Sequence, residues 1–365
     1  MLFKNKKSII SLVLLSLLLV VSVFVVGCGN DAATEGDNGG ETKAEAPETI
    51  ELKVAHIWPS AHPVETFLIK GWAEALDEAT DGQVKITTYP GGTLLTGPET
   101  YQGVVEGVAD VGISVYAYTR GRFPVLETAM LPGLSYDSAK VASKVATELI
   151  KKYNPEELQD TKQLMTFSTG PGHLLMQKTV RTQADLKGLE IGATAGPRGD
   201  ALAMLGATPV TLPMPEAYEA MSRGVIQGII SAPEALQGFK LGELIDSMTI
   251  TPFLYNQLFF MVMNKEKWDS IPPDLQETIN QVTADFYEKN IMALWDGIND
   301  AGLKWTQDQK EVEILELPKE ELARWKEIIK PLIAEHQAIL DGKGLQGEEI
   351  INTTKELVEQ YNNEY

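Results

Sequence analysis

The chain has little of what reactive sites are usually built from. Its 365 residues include one cysteine and four histidines, His56, His62, His173 and His336, far apart in the sequence. A single thiol excludes an internal disulfide and a cysteine-rich metal site. Nowhere does the chain read G-x-S-x-G, G-x-x-x-x-G-K-[ST] or H-E-x-x-H, the sequence marks of a nucleophile elbow, a P-loop and a zinc peptidase. The expectation is a binding protein, not an enzyme, with no metal and no cofactor. Basic residues are also short: 31 Lys and Arg stand against 51 Asp and Glu, a net charge of −20. An acidic body argues against nucleic acid and anionic lipid as partners, so any bound anion must be drawn by local donors.

What is present starts with a leader. Lys4, Lys6 and Lys7 precede an apolar stretch from Ile9 to Val26, and Val25-Val26-Gly27-Cys28 fits a bacterial lipobox, where small residues precede a lipid-modified cysteine. About 18 apolar residues also suit a generic signal peptide or a membrane anchor. The position of the one cysteine favours a lipoprotein signal over residues 1–27 and lipidation at Cys28. Removing those residues, with three lysines and no acid, moves the charge from −20 to −23. From Gly29 to Glu48 the chain is mostly Gly, Asn, Asp, Ala, Glu and Thr, without periodic apolar positions, so residues 28–48 read as a flexible tether to a lipid-held surface.

The rest, with 44% hydrophobic and 22% charged residues overall, has the composition of a globular body of one large or two medium domains. Ile50, Leu52 and Val54 alternate as a strand ending at His56; Pro63 to Thr80 carries apolar residues at helical spacing; Val84, Ile86 and Thr88 form the next strand, closed by Pro90-Gly91-Gly92. This βαβ alternation predicts mainly parallel sheets covered by helices, with ligands beyond the carboxyl ends of the strands. Pro272-Pro273 opens a helical run to about Thr306, roughly 50 Å at 1.5 Å per residue. Helices from about Pro318 to Leu340 and Gly347 to Tyr361 follow, separated by Asp341-Gly-Lys-Gly344.

One stretch occurs twice. Residues 99–114 align without gaps to 216–231, with six of sixteen positions identical, including Glu99 and Glu216, Tyr101 and Tyr218, and Ser114 and Ser231. Each copy reads as a helix opening at Glu, a Gly where it stops, then a strand ending at Ser. Two similar lobes follow, with Ser114 and Ser231 expected on opposite walls of a cleft.

Asp185-Leu-Lys-Gly-Leu-Glu-Ile191, Leu205-Gly-Ala-Thr-Pro-Val210, Met214-Pro-Glu-Ala-Tyr-Glu-Ala220, Gly107-Val-Ala-Asp110 and Gly121-Arg-Phe-Pro124 stand in the order and spacing of a known family. The chain resembles the solute-binding proteins of tripartite ATP-independent periplasmic (TRAP) transporters, of the DctP type. The resemblance implies an α/β, two-lobed periplasmic-binding-protein-like fold with an interlobe cleft and a long helix spanning both lobes. Lobe I is then expected over 49–171 plus 257–296, and lobe II over 172–256 plus 297–365. It also implies an extracytoplasmic receptor that closes on a solute and hands it to small and large membrane permease subunits. A sensory lipoprotein, or a receptor for an ABC-type permease, stays open as an alternative.

Three positions depart from the family pattern. The arginine that clamps a substrate carboxylate falls on Gly192, an aromatic residue on Met214, and an asparagine on Ser231. Losing one partner of a buried arginine–carboxylate pair costs about 2 to 5 kcal/mol, so the solute either lacks the usual carboxylate pose or meets another donor. Arg198, in Gly196-Pro-Arg-Gly-Asp200, is one replacement if it is not a solvent-facing loop residue. His173, after Gly170-Pro-Gly, is another if its hydrogen bonds are not purely structural; Arg120 is weaker, and Arg122 reads as a pair partner. His56 and Trp58 end the first strand, where Trp58 offers a stacking face or fills core. Tyr116 and Tyr118 lie just past Ser114, and Met214 offers an adaptable thioether wall. The expected ligand is a small organic acid bulkier or more aromatic than a C4-dicarboxylate, or a neutral or zwitterionic solute.

Overall fold

A computed structural model describes residues 49–365. Cys28, the apolar leader and the tether lie outside the described residues. Eleven strands follow in chain order: β1 Ile50–His56, β2 Val84–Tyr89, β3 Val111–Val115, β4 Thr161–Pro171, β5 His173–Met176, β6 Glu190–Ala193, β7 Thr208–Thr211, β8 Gly228–Ser231, β9 Ser247–Ile250, β10 Asn256–Asn264 and β11 Glu313–Glu316. They form two sheets, ordered β2-β1-β3-β10-β4 and β11-β9-β5-β8-β6-β7.

The sheets repeat one plan. In the first, β1 pairs in parallel with β2 and β3, and β10 runs antiparallel to β3 and β4. In the second, β6 pairs in parallel with β7 and β8, and β5 runs antiparallel to β8 and β9. The expected mainly parallel sheets are therefore mixed. The reason is the path of the chain, which leaves the first lobe along β4 into β5 and returns along β10, so one strand in each sheet must run the other way. At the passage Gly172 is essential: a Cβ there would lie 2.2 Å from the Tyr255 ring and 2.8 Å from the Ser231 backbone.

The doubled sequence is doubled in space. Both copies make a short helix (Thr100–Val105 and Ala217–Ser222), a glycine at positive φ (Gly107 and Gly224), and a strand (β3 and β8). Helices Pro273–Phe286 and Met292–Gln309 join through a π-helical segment Tyr287–Ile291 into one rod of about 55 Å. Its first part packs on helix Lys70–Ala79 and β4, its second on helix Glu234–Gly238, so the rod underlies both lobes. Asn299 ties the join, accepting from Glu234 N–H at 3.0 Å and donating to the Thr169 carbonyl at 2.8 Å.

The C-terminus departs from the expected boundary. Strand β11 and helix Lys319–Ile329 belong with the second lobe, but helix Gly347–Glu364 packs on helices Ala139–Tyr153 and Pro124–Thr128 of the first. Its stripe of Ile350, Ile351 and Val358 is buried there, and Tyr153 donates to Thr353 at 2.9 Å. An apolar stripe shows that a helix needs a partner surface, not which lobe supplies it.

Candidate functional site

A narrow, partly open cavity of about 30 Å³ lies between the lobes, where β1, β3, β6 and β8 end. Its apolar wall includes Ile57, Trp58, Val115 and Phe259 from the first lobe and Leu212 and Met214 from the second. Trp58, 1% exposed, sits against Phe259 at 5.0 Å between ring centroids, and Phe259 stacks on Trp295 of the long rod at 5.2 Å. Linked aromatic rings of this kind form a rigid, desolvated floor.

Three cross-lobe contacts close the cavity. The Met214 N–H donates to Tyr118 Oη at 2.9 Å; His62 Nε2 lies 3.0 Å from Glu234 Oε2; Arg120 reaches Asp200 at 3.1 Å. The first two are shielded from water, whereas the third is exposed and weak.

Arg198 lies behind the Tyr255 wall of the cavity, lining a small neighbouring pocket with Met130 and Glu127. It stands in the first turn of helix Pro197–Met204, whose entry is set by Gly196 at φ 98°, and it is only 3% exposed. Its guanidinium lies 4.8 Å from the centre of the Tyr255 ring, which lines the cavity. No carboxylate pairs with it among the described residues. Nη2 reaches the Met130 sulfur at 3.9 Å, and Nη1 has no partner. Burial lowers its pKa, Tyr255 and Tyr118 oppose the shift, and a guanidinium stays charged in proteins. Burial raises the Tyr255 pKa, Arg198 pulls it down and Glu234 pushes it up, so this hydroxyl feels both charges. Two more buried oxygens lack partners: Thr194 Oγ1, at the cavity wall, and Ser231 Oγ.

The sequence-predicted residues divide. Trp58 and Met214 line the cavity. Gly192 lies behind its wall, where an added Cβ would meet Ile226 at 3.0 Å and Ile229 and Leu212 at 3.2 Å. Branched apolar side chains thus fill the space around Gly192. Four expectations need correction. His56 is buried in the first lobe at 3.0 Å from Glu65, and burial pushes its pKa down to about 4. Ser114 donates to the Gly97 carbonyl at 2.8 Å, and Tyr116 bonds Thr166 at 2.9 Å within a cluster of Phe123 and Phe260. Half-buried His173 accepts from Thr251 N–H at 3.2 Å, with its pKa pushed down to about 4 by burial, so it offers no charge to an anion near neutrality. Arg122 is the pair partner expected, donating to Asp160 at 2.6 Å.

Sequence reading missed Thr194, Glu234 and Tyr255. A polar residue just beyond a strand's carboxyl end was the available signal for Thr194 and for Glu234, which follows β8 by three residues.

Comparison with known proteins agrees with this architecture. The family model for bacterial extracellular solute-binding proteins, family 7, matches residues 54–339. A TRAP solute-binding protein from an unidentified marine microbe, specific for aromatic acids and crystallised with 3-hydroxybenzoate, is 29% identical and superimposes with a TM-score of 0.81 over 86% of this chain and 99% of its own. A Rhodoferax ferrireducens TRAP protein holding copurified benzoate is 25% identical, with a TM-score of 0.79 over 86% and 99%. The 2,3-diketo-L-gulonate-binding periplasmic protein of Escherichia coli is 26% identical over 66% of this chain and 76% of its own. The chain belongs to the family 7 bacterial extracellular solute-binding proteins and is a TRAP-type extracytoplasmic receptor, not an enzyme.

Proposed function

We propose that this receptor takes a monocarboxylic acid with an aromatic or similarly apolar body, and that Arg198 holds its carboxylate. The observation that carries this reading is the buried guanidinium with an unpartnered Nη1, one aromatic ring, Tyr255, away from the cavity. An unpaired buried charge costs several kcal/mol, and a carboxylate brought by the solute offsets that cost. Thr194 and Ser231 offer further hydrogen bonds to its oxygens. The aromatic floor around Trp58 and Phe259 suits a flat apolar body. A second carboxylate would meet either that floor or the like charge of Glu234, which disfavours C4-dicarboxylates. The related proteins that hold benzoate and 3-hydroxybenzoate support the same class.

In this reading a lipid at Cys28 and the tether of residues 28–48 keep the receptor at the outer face of the cell membrane. Ligand contacts from both lobes favour the closed state by differential affinity, and the small and large permease subunits respond to that closure. Thermal shift and titration calorimetry with benzoate, 3-hydroxybenzoate, succinate and malate test the ligand class. The aromatic monoacids are expected to raise the melting temperature and the dicarboxylates to leave it unchanged. A strong response to succinate or malate alone overturns the proposal.

A further inference from the structure

Glu234 carries a charge that no described cation neutralises. It opens helix Glu234–Gly238, is 5% exposed and borders the cavity. Its side chain has one polar partner among the described residues, His62, whose Nε2 lies 3.0 Å from Oε2. This contact has the distance of a salt bridge, but the other ring nitrogen decides its nature. His62 Nδ1 lies 3.1 Å from the Val64 backbone N–H, which can only donate. Nδ1 is therefore unprotonated, the ring proton sits on Nε2, and His62 is a neutral donor to a full carboxylate. That leaves Glu234 Oε1 without a donor among the described residues, at the border of the cavity. Such a carboxylate is costly unless another donor reaches it.

Arg198 presents the opposite case, a buried cation without an anion, and Tyr255 senses both charges. A solute complementary to this cavity has unlike ends: an anionic group for Arg198 and a hydrogen-bond donor for Glu234. Resting on the acid-receptor reading above, we infer that Glu234 is a specificity residue that accepts a hydrogen bond from a hydroxyl or amino group carried by the acid away from its carboxylate. The ligand class narrows to hydroxy- or amino-substituted aromatic acids. An unsubstituted acid leaves Glu234 unmet, and a dicarboxylate places like charges together. A site built to bond a substrate hydroxyl or amine rejects the analogue lacking it more strongly than an apolar pocket rejects a change of size.

Titration calorimetry on the purified protein tests this with benzoate, its three monohydroxy isomers and 3-(aminomethyl)benzoate, using the wild type and Glu234→Gln. The best substituted acid is expected to bind the wild type at least about tenfold tighter than benzoate. Gln keeps an acceptor for His62 but loses the charge, so the preference should shrink to about twofold or less in the variant, with benzoate little affected. Substituted acids no tighter than benzoate in the wild type overturn the inference. So does a Glu234→Gln protein that loses benzoate and substituted acids by the same factor, because that pattern marks a residue that only closes the lobes. The wild-type comparison stands even if the variant does not fold. Benzoate binding without discrimination overturns this inference alone, whereas no binding by any acid overturns the acid-receptor reading with it.

Discussion

The two lobes repeat one design, and the repeats differ most where they face each other. Register makes the comparison exact in sequence: Ala55 pairs with Gly112 in the first sheet as Gly192 pairs with Ile229 in the second, and the doubled segment equates Gly112 with Ile229. Beyond those small residues the first copy continues to Ile57 and Trp58, the second to Thr194 and then Arg198. Ser114 has its hydroxyl bonded to the Gly97 carbonyl, while its counterpart Ser231 has a buried hydroxyl with no partner. The same helix, glycine and strand thus supply an apolar wall on one side and unmet polar groups on the other. A shared fold set both walls in place, but of the two matched serines only the second is desolvated without a partner.

The comparison can be broken most directly at Arg198. Arg198→Met is expected to weaken binding of an aromatic acid by about 2 to 5 kcal/mol, roughly thirtyfold or more by calorimetry. The ligand-free protein should melt no lower, because an unpaired buried charge has been replaced by an apolar group of similar length. A large fall in melting temperature with unchanged affinity would place Arg198 in the scaffold.

The histidines sharpen the comparison through pH. His56, in the first lobe, and His173, where the chain enters the second, both have folded pKa values pushed down to about 4 from about 6.5. Between those values the unfolded chain binds more protons, so stability is full above about pH 6.5 and falls as pH drops toward 4, by up to about 1.4 kcal/mol per unit for each group. Denaturant unfolding from pH 7 to pH 4 should show this slope, and His173→Gln should make it shallower. A variant with the full wild-type slope would show that His173 is not held neutral by burial.

Two smaller effects remain. Gly192→Arg should cost about 1 to 3 kcal/mol in stability by overpacking Ile226, Ile229 and Leu212, and should not improve affinity for succinate. Restored succinate binding would mean that the lost family arginine can still reach the site. Ser114→Ala should lower stability by about 1 kcal/mol and leave acid affinity alone, whereas Ser231→Ala should leave stability nearly unchanged and weaken binding by about 1 kcal/mol. Equal behaviour of the two serines in paired melts and titrations would erase the distinction between the walls.

Much of the fold was legible because it is written locally. Alternation at Ile50, Leu52 and Val54, the proline opening the rod at Pro273, and the Gly107 and Gly224 stops each act within one or two turns of chain. The ordered motifs from Asp185 to Ala220 identified the family on the same basis. Legibility failed where a helix had to choose a lobe, as at Gly347–Glu364, and where a strand's direction depended on the chain's return through β10.

By itself the sequence determined the two-lobed α/β receptor and its doubled halves, since apolar period, turn residues and motif order all survive without tertiary contacts. Tertiary structure alone decided which polar groups have partners. His62 meets Glu234 across 172 residues of chain, Ser114 finds a carbonyl while Ser231 finds none, and Arg198 is buried against Tyr255 instead of facing solvent. Pairing and desolvation depend on distances set by the packed lobes, and those distances bury the Arg198 guanidinium without a carboxylate among the described residues.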